Sequence, residues 1–179
     1  MVLLFLAEGF EEIEALCPLD LLRRVGVEVK TVGVTGKKVC GSHGIEVTAD
    51  LACDEISAEV PEMVILPGGM PGTLNLKKDP TVQKMLEKAV KANAWIAAIC
   101  AAPSILGEAG LLCGKEAICF PGFEKSLTGA KISDKKVVRD GRFITAAGMG
   151  VALEFGLELV AVLTSEEKAK TLRASLQAL

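Results

Sequence analysis

The sequence predicts an α/β fold: a three-layer sandwich of helices around a mostly parallel sheet. Three observations carry this. Four short apolar runs, Val2–Ala7, Met63–Leu66, Trp95–Ile99 and Phe143–Ala146, each end near Gly, Pro or a helix start, as strands buried on both faces do. Patterns of helical period lie between the runs. Half of the 179 residues are hydrophobic, more than a sheet with one wet face requires. Strands alternating with helices close into parallel βαβ crossovers.

The elements follow in chain order. Val2–Ala7 is the first strand. A helix is expected from about Glu11 to Arg24, with Ile13, Leu16 and Cys17 facing inward, Pro18 kinking it and Gly26 stopping it. Val27–Val34 reads as the second strand, and Lys38–Thr48 as a small hairpin turning through Gly41, Ser42, His43 and Gly44. After Met63–Leu66, Asp79 and Pro80 supply an N-cap and a first-turn proline. Val82, Met85, Leu86, Ala89 and Val90 then mark one apolar stripe. Near the end, Leu153, Leu157, Val160, Ala161 and Thr164 share a helix face, and Ser165 with Glu166 and Glu167 caps a last helix. Without a linker or compositional break, residues 1–179 are expected to form one domain.

Composition excludes several classes of function. The net charge is −3 and the basic residues are scattered among acids, so no stripe is offered to a nucleic-acid backbone. The longest uncharged stretch, Ala94–Gly107, is too short to span a bilayer and contains Pro103. Val2–Ala7 lacks a basic n-region and a cleavage site, so a cytoplasmic protein without a leader is expected. The six cysteines, at 17, 40, 53, 100, 113 and 119, contain no C-x-x-C pair and are expected to be reduced and mostly buried. With one histidine and no cysteine cluster, no metal site is expected.

The chemistry concentrates at Cys100. The strand Trp95–Ile99 runs directly into Cys100, Ala101, Ala102 and Pro103, after which Ser104 opens a helix. A nucleophile on such a corner needs small neighbours, and Ala98, Ala101 and Ala102 supply them. A helix N-terminus beside the thiol favours the thiolate. The plainer reading is one more buried cysteine at a strand end. The turn Leu66-Pro-Gly-Gly-Met-Pro-Gly72 also follows a buried strand, and neighbouring parallel strands share one crevice at their carboxyl ends. Gly68 and Gly69 therefore face Cys100, where a free glycine N–H together with that of Ala101 would make an oxyanion hole; a simple tight turn is the alternative. Neither this turn nor Gly148-Met-Gly150 is a dinucleotide fingerprint, so no nicotinamide or flavin cofactor is implied.

Glu8, Glu11, Glu12 and Glu14 crowd the start of the first helix. Dipole stabilisation accounts for acids there. Glu14, one turn in, is the one expected to point into the crevice, where a carboxyl beside a sulfur would keep a proton and serve as general acid and base. His43 is open to two readings, a structural turn residue or half of a Cys–His dyad.

The segments Ala7–Glu14, Leu66–Gly69, Ala97–Pro103 and Ala147–Gly150, the last just before Leu153-Glu-Phe155, together resemble the DJ-1/ThiJ/PfpI superfamily over nearly the whole chain, and its DJ-1 branch most closely. The resemblance implies a flavodoxin-like sandwich, usually a homodimer, with the nucleophile at Cys100, its carboxylic partner at Glu14, and backbone donors at Gly69 and Ala101. It also implies activity without a cofactor, as a glyoxalase on methylglyoxal-type dicarbonyls or a deglycase on their early adducts. A second implied role is a redox sensor or chaperone switched by oxidation of Cys100; hydrolase or hydratase activity on another small substrate is a third reading. Two departures stand out. Phe120 precedes Pro121 where some members carry a histidine, which removes support for a Cys–His peptidase. His43 stands where some relatives place an arginine reaching the partner subunit, so a trans-subunit contribution of His43 is a further reading. Gly148-Met-Gly150 replaces the Gly-Pro-Gly common in relatives.

Overall fold

The computed structural model describes residues 1–178. Its strands are β1 (Val2–Leu6), β2 (Val29–Gly33), β3 (Lys38–Cys40), β4 (Glu46–Thr48), β5 (Leu51–Ala52), β6 (Met63–Leu66), β7 (Trp95–Ile99), β8 (Glu116–Ala117), β9 (Lys131–Ile132), β10 (Val137–Asp140) and β11 (Phe143–Ala146). The helices are α1 (Glu12–Arg24), α2 (Gly72–Lys78), α3 (Pro80–Lys91), α4 (Pro103–Glu108), α5 (Ala152–Leu163) and α6 (Glu166–Ser175). Seven strands form one sheet in the order β10-β11-β7-β6-β1-β2-β5. Every neighbouring pair in it is parallel except β10 with β11.

Alternation along the strands divides the core in two. Leu4, Leu6, Ile65 and Ile99 join one cluster with Ala15, Leu22, Phe155 and Leu159, while Leu3, Phe5, Val64 and Ala98 join the other with Val82, Leu86 and Leu106. Helices α1 and α5 therefore cover one face of the sheet, and α3 and α4 the other. The two helices on the first face approach closely because position 156 is glycine: a Cβ there would stand 3.1 Å from Pro18 Cα. The Asp79 carboxylate caps α3, accepting from the N–H groups of Thr81 (2.9 Å) and Val82 (3.0 Å). The Ser165 hydroxyl caps α6 through Lys168 N–H.

Several expectations are corrected. Ile13 is 49% exposed, whereas Leu16 and Cys17 pack partly buried against the core and Glu14 is buried, as expected. Glu12 is buried as well because the β3–β4 turn supplies it with hydrogen-bond donors, which an apolar-face reading does not anticipate. Val90 lies exposed beyond the buried stripe of α3. The second strand is shorter than expected, and β5, β8, β9, β10 and α2 are additional elements. All six cysteines are free, yet only Cys119 is buried and Cys113 is exposed. No described helix is long and apolar enough to cross a membrane.

The strand order places the site. From β1 the chain crosses to β2 on one side, whereas from β6 it crosses to β7 on the other. The carboxyl ends of β1 and β6 thus flank a switch point, where the loops part and leave a crevice.

Candidate active site

Four connections meet at this crevice: β1 to α1, β6 to α2, β7 to α4, and β11 to α5. The first two are pinned to each other through the backbone. Glu11 N–H donates to Gly68 O (2.9 Å), and Gly72 N–H to Gly9 O (3.1 Å). Gly68 N–H in turn donates to Glu14 Oε2 at 3.0 Å. Glu14 is 1% exposed, and the Met149 backbone on the β11–α5 connection lies near enough to favour its charged form. A buried carboxyl without such donors would carry a heavy desolvation cost.

Cys100 occupies the corner between β7 and α4 with φ of +65°, a left-handed conformation that costs a non-glycine residue about 1–3 kcal/mol. The corner is held on both sides: Cys100 N–H donates to Ala146 O (2.9 Å), and Phe120 N–H donates to Cys100 O (2.7 Å). Small residues are needed around it. A Cβ on Gly68 would stand 2.7 Å from Cys100 Cβ and 2.5 Å from Glu14 Oε2, closer than side-chain carbons tolerate. Gly69 itself has φ of +88°.

The Cys100 side chain and the buried Glu14 carboxyl adjoin each other across Gly68, close enough to shift each other's ionisation, and the backbone N–H groups of Ala101 and Gly69 lie near the sulfur. The expected depression of the thiol pKa is reversed. Burial and the charge of Glu14 push Cys100 up to about 12, outweighing the two backbone donors. Burial likewise raises Glu14 to about 7, despite the hydrogen bond from Gly68 and the adjoining Cys100 side chain. Two acids this close ionise as a pair. The pair gains its first negative charge near neutrality and resists a second, so a thiolate forms there when the remaining proton sits on Glu14.

Cys100, Glu14, Gly68, Gly69 and Ala101 therefore come together. Gly68 commits its N–H to Glu14, which leaves the N–H groups of Gly69 and Ala101 near the sulfur. His43 stands apart from them. It lies on the β3–β4 turn against the first turn of α1, with Nδ1 2.9 Å from Glu12 Oε2 and 3.4 Å from Glu11 Oε2. No hydrogen bond joins it to Cys100 among the described residues. Glu12, 4% exposed, is opposed by burial yet held down to about 2 by hydrogen bonds from the His43 ring, from His43 N–H and from other backbone groups. That carboxylate raises the His43 pKa in return. Ligating atoms of Glu11, Glu12 and His43 lie within 4.8 Å of one another, a spacing that metal ligands share, but these groups already satisfy each other and tie the hairpin to the helix.

Two side chains of the site carry no signal in residue chemistry or period: Phe120 and Met149, 48% and 49% exposed. Their part in the crevice arises from chain reversals between β7 and α5 that bring distant loops together. The sequence signal available was the phenylalanine before Pro121 and the methionine between two glycines.

The chain also resembles known proteins. A family model described as the DJ-1/PfpI family matches residues 1–162. Protein DJ-1 homolog B of Arabidopsis thaliana is 39% identical over 171 residues, which span 94% of this chain but only 39% of that protein. The glutathione-independent glyoxalase DJR-1.2 of Caenorhabditis elegans is 33% identical over 167 residues, 92% of this chain and 89% of that protein. The solved structure of oxidized Toxoplasma gondii DJ-1 superposes with a TM-score of 0.94 at 34% identity, covering 98% of this chain and 97% of that one. Sheet order, the cysteine corner and these matches lead to one conclusion: the chain belongs to the DJ-1/PfpI family.

Proposed function

We propose that the protein is a cofactor-independent glyoxalase or deglycase in which Cys100 attacks the aldehyde carbon of a methylglyoxal-type 1,2-dicarbonyl, or the former aldehyde carbon of its early glycation adduct, which already carries a hydroxyl and the amine. The observation that carries this reading is the buried Glu14 carboxyl set beside the Cys100 side chain across Gly68, with the Gly69 and Ala101 N–H groups near the sulfur. The thiolate forms the S–C bond while the C=O pair moves onto oxygen. The developing oxyanion is held by the Gly69 and Ala101 donors and takes the proton of Glu14. The Glu14 carboxylate then removes the hydrogen of the attacked carbon as a proton and returns it to the adjacent carbonyl carbon, while the hydroxyl proton of the attacked carbon passes to the neighbouring oxygen and leaves a thioester carbonyl behind. The attacked carbon is oxidised and its neighbour reduced, so no external oxidant is needed. Water hydrolyses the resulting thioester, freeing Cys100 and a 2-hydroxy acid. From methylglyoxal the product is lactate. On an adduct the S–C bond forms as the C–N bond breaks and the amine leaves with the proton of Glu14, which gives the same hemithioacetal and the same later steps. The resemblance to a glutathione-independent glyoxalase supports this reading.

The test is lactate formation from methylglyoxal without glutathione or added metal. Wild type is expected to turn over; Cys100→Ala is expected to lose turnover, and Glu14→Gln to lose about 10²–10⁴-fold, the usual range for a positioned acid–base group. Lactate at the same rate from the Cys100→Ala variant would end the proposal.

A second reading uses the same donors. Oxidation of Cys100 to a sulfinate would place oxygens where the Gly69 and Ala101 N–H groups and a protonated Glu14 can hold them, and a close structural neighbour is known in an oxidized form. A sensor or chaperone of this kind predicts that mild peroxide adds two oxygens at Cys100 alone and changes client protection.

We further read the chain as one cytoplasmic domain that works as a homodimer. Six unpaired cysteines suit a reducing compartment. The exposed Ile13 on α1, beside the hairpin that carries His43, suits a buried interface, which would also bring His43 toward the partner's crevice.

A further inference from the structure

We propose that Phe120 and Met149 form an apolar subsite against the Cys100–Glu14 pair that selects 1,2-dicarbonyls bearing an aryl or bulky alkyl group over methylglyoxal. The inference rests on the reading of Cys100 as the nucleophile. Most large apolar side chains of the chain are buried, Phe5, Phe10 and Phe155 completely so, whereas Phe120 and Met149 are about half exposed. Both stand close to the pair through their own backbones. Phe120 N–H donates to the carbonyl oxygen of Cys100 at 2.7 Å, and the Met149 backbone lies near enough to the Glu14 carboxyl to lower its pKa. The two side chains therefore keep station beside the pair.

Gly148 shows how near the Phe120 ring and the Glu14 carboxyl come. A Cβ built there would stand 3.2 Å from Phe120 Cδ2 and 4.0 Å from Glu14 Oε1, so ring and carboxyl flank a single glycine. Beside that point opens a shallow pocket of about 350 Å³, with Phe120, Pro121, Met149 and Val151 as its apolar lining and Lys136 as its one charged residue. Benzene fits an apolar cavity of roughly 150 Å³, so an aryl group has room.

In a 1,2-dicarbonyl the substituent sits on the carbon next to the one that sulfur attacks, and it must leave the crevice beside Glu14, which works on both carbons. On this side it meets the Phe120 ring and the Met149 thioether. Both favour aromatic partners, the ring by offset or edge-to-face packing and the sulfur by contact with a ring edge. A methyl group leaves most of that surface untouched. The reaction balances as before: phenylglyoxal and water give mandelate, with the attacked carbon oxidised and its neighbour reduced.

Two experiments separate this inference from the function beneath it. In the first, kcat/KM is measured for phenylglyoxal and for methylglyoxal with wild type, Phe120→Leu and Phe120→Ala. The ratio of the two values is expected to fall about tenfold in Phe120→Ala, as loss of an aromatic partner and its buried area predicts, with Phe120→Leu in between. An unchanged ratio overturns the subsite. The second experiment needs no turnover: Cys100 is alkylated by 2-bromoacetophenone or by bromoacetone, the rates are read by peptide mass spectrometry, and their ratio is compared with that of a free thiol. Wild type is expected to exceed the free-thiol ratio by about tenfold and Phe120→Ala to approach it. A wild-type ratio equal to that of the free thiol overturns the inference even if the protein is a glyoxalase. An aryl preference that vanishes in Phe120→Ala sustains it even if neither dicarbonyl is turned over, in which case only the proposed reaction falls.

Discussion

At the scale of the residue, the site is a contest between burial and hydrogen bonding. Glu14 is buried deeply enough that its pKa rises from 4.5 to about 7, and the sign of the consequence follows. A carboxyl that binds its proton more tightly in the folded state contributes stability below its unfolded pKa and loses it as pH rises through the folded value. Wild type should thus lose stability between about pH 4.5 and 7, and the isosteric Glu14→Gln should not. Chemical denaturation is expected to find the variant more stable by about 1–3 kcal/mol at pH 8, with the gap nearly closed at pH 4.5. An equal gap at both pH values would contradict the burial of a charge. Gly68 offers a steric counterpart. Its replacement by alanine drives a methyl group into Glu14 Oε2 and Cys100 Cβ, and steady-state assays should record a loss of at least about 100-fold in kcat/KM, the usual cost of a misplacement near 1 Å.

At the scale of the element, the hairpin β3–β4 is held on α1 by the pair of His43 with Glu12. The low pKa of Glu12, about 2, gives a contribution present above pH 4.5 and lost toward pH 2. The raised pKa of His43 gives one present below pH 6.5 and lost as pH rises past its folded value. The stability difference between wild type and His43→Gln, followed by thermal melts from pH 3 to 9, should therefore peak between about pH 4.5 and 6.5. A difference independent of pH would show that the ion pair is not what docks the hairpin. This element also marks how far the sequence could be read. The strands β1, β6, β7 and β11 were legible because each is buried on both faces and writes a continuous apolar run. The cap of α3 at Asp79 was legible because it is local chemistry. The inward face of α1 was legible only in part: Leu16, Cys17 and Glu14 turn inward as expected, but Ile13 does not, and Glu12 is buried by donors from Ser42 and His43, about thirty positions away. Likewise β10, which pairs with β11 across the two-residue turn of Gly141 and Arg142, has a short, mixed pattern that carries no apolar run of its own. Cys100 and the two glycines after β6 were legible because a corner at a strand end restricts residue type. The direction of the thiol pKa was misread, because the helix N-terminus is visible in sequence and the burial beside Glu14 is not.

At the scale of the molecule, reversal of strand order between β1 and β6 opens one crevice, and each reacting group arrives on a different connection. Exposed apolar surface near that crevice, Ile13 above all, suits a second copy. Light scattering is expected to give a dimer for wild type and a shift toward monomer for Ile13→Arg, whereas a monomeric wild type at micromolar concentration would rule the interface out. The central claim is that Cys100 and Glu14 share one proton and act as a unit. It is tested most directly by the rate of Cys100 alkylation as a function of pH, in wild type and in Glu14→Gln. The shared proton predicts a wild-type rate that rises with a midpoint near pH 7, where the pair takes its first charge, and a midpoint displaced from there in the variant. Superimposable profiles in the two proteins would show that the thiol titrates alone and would contradict the claim.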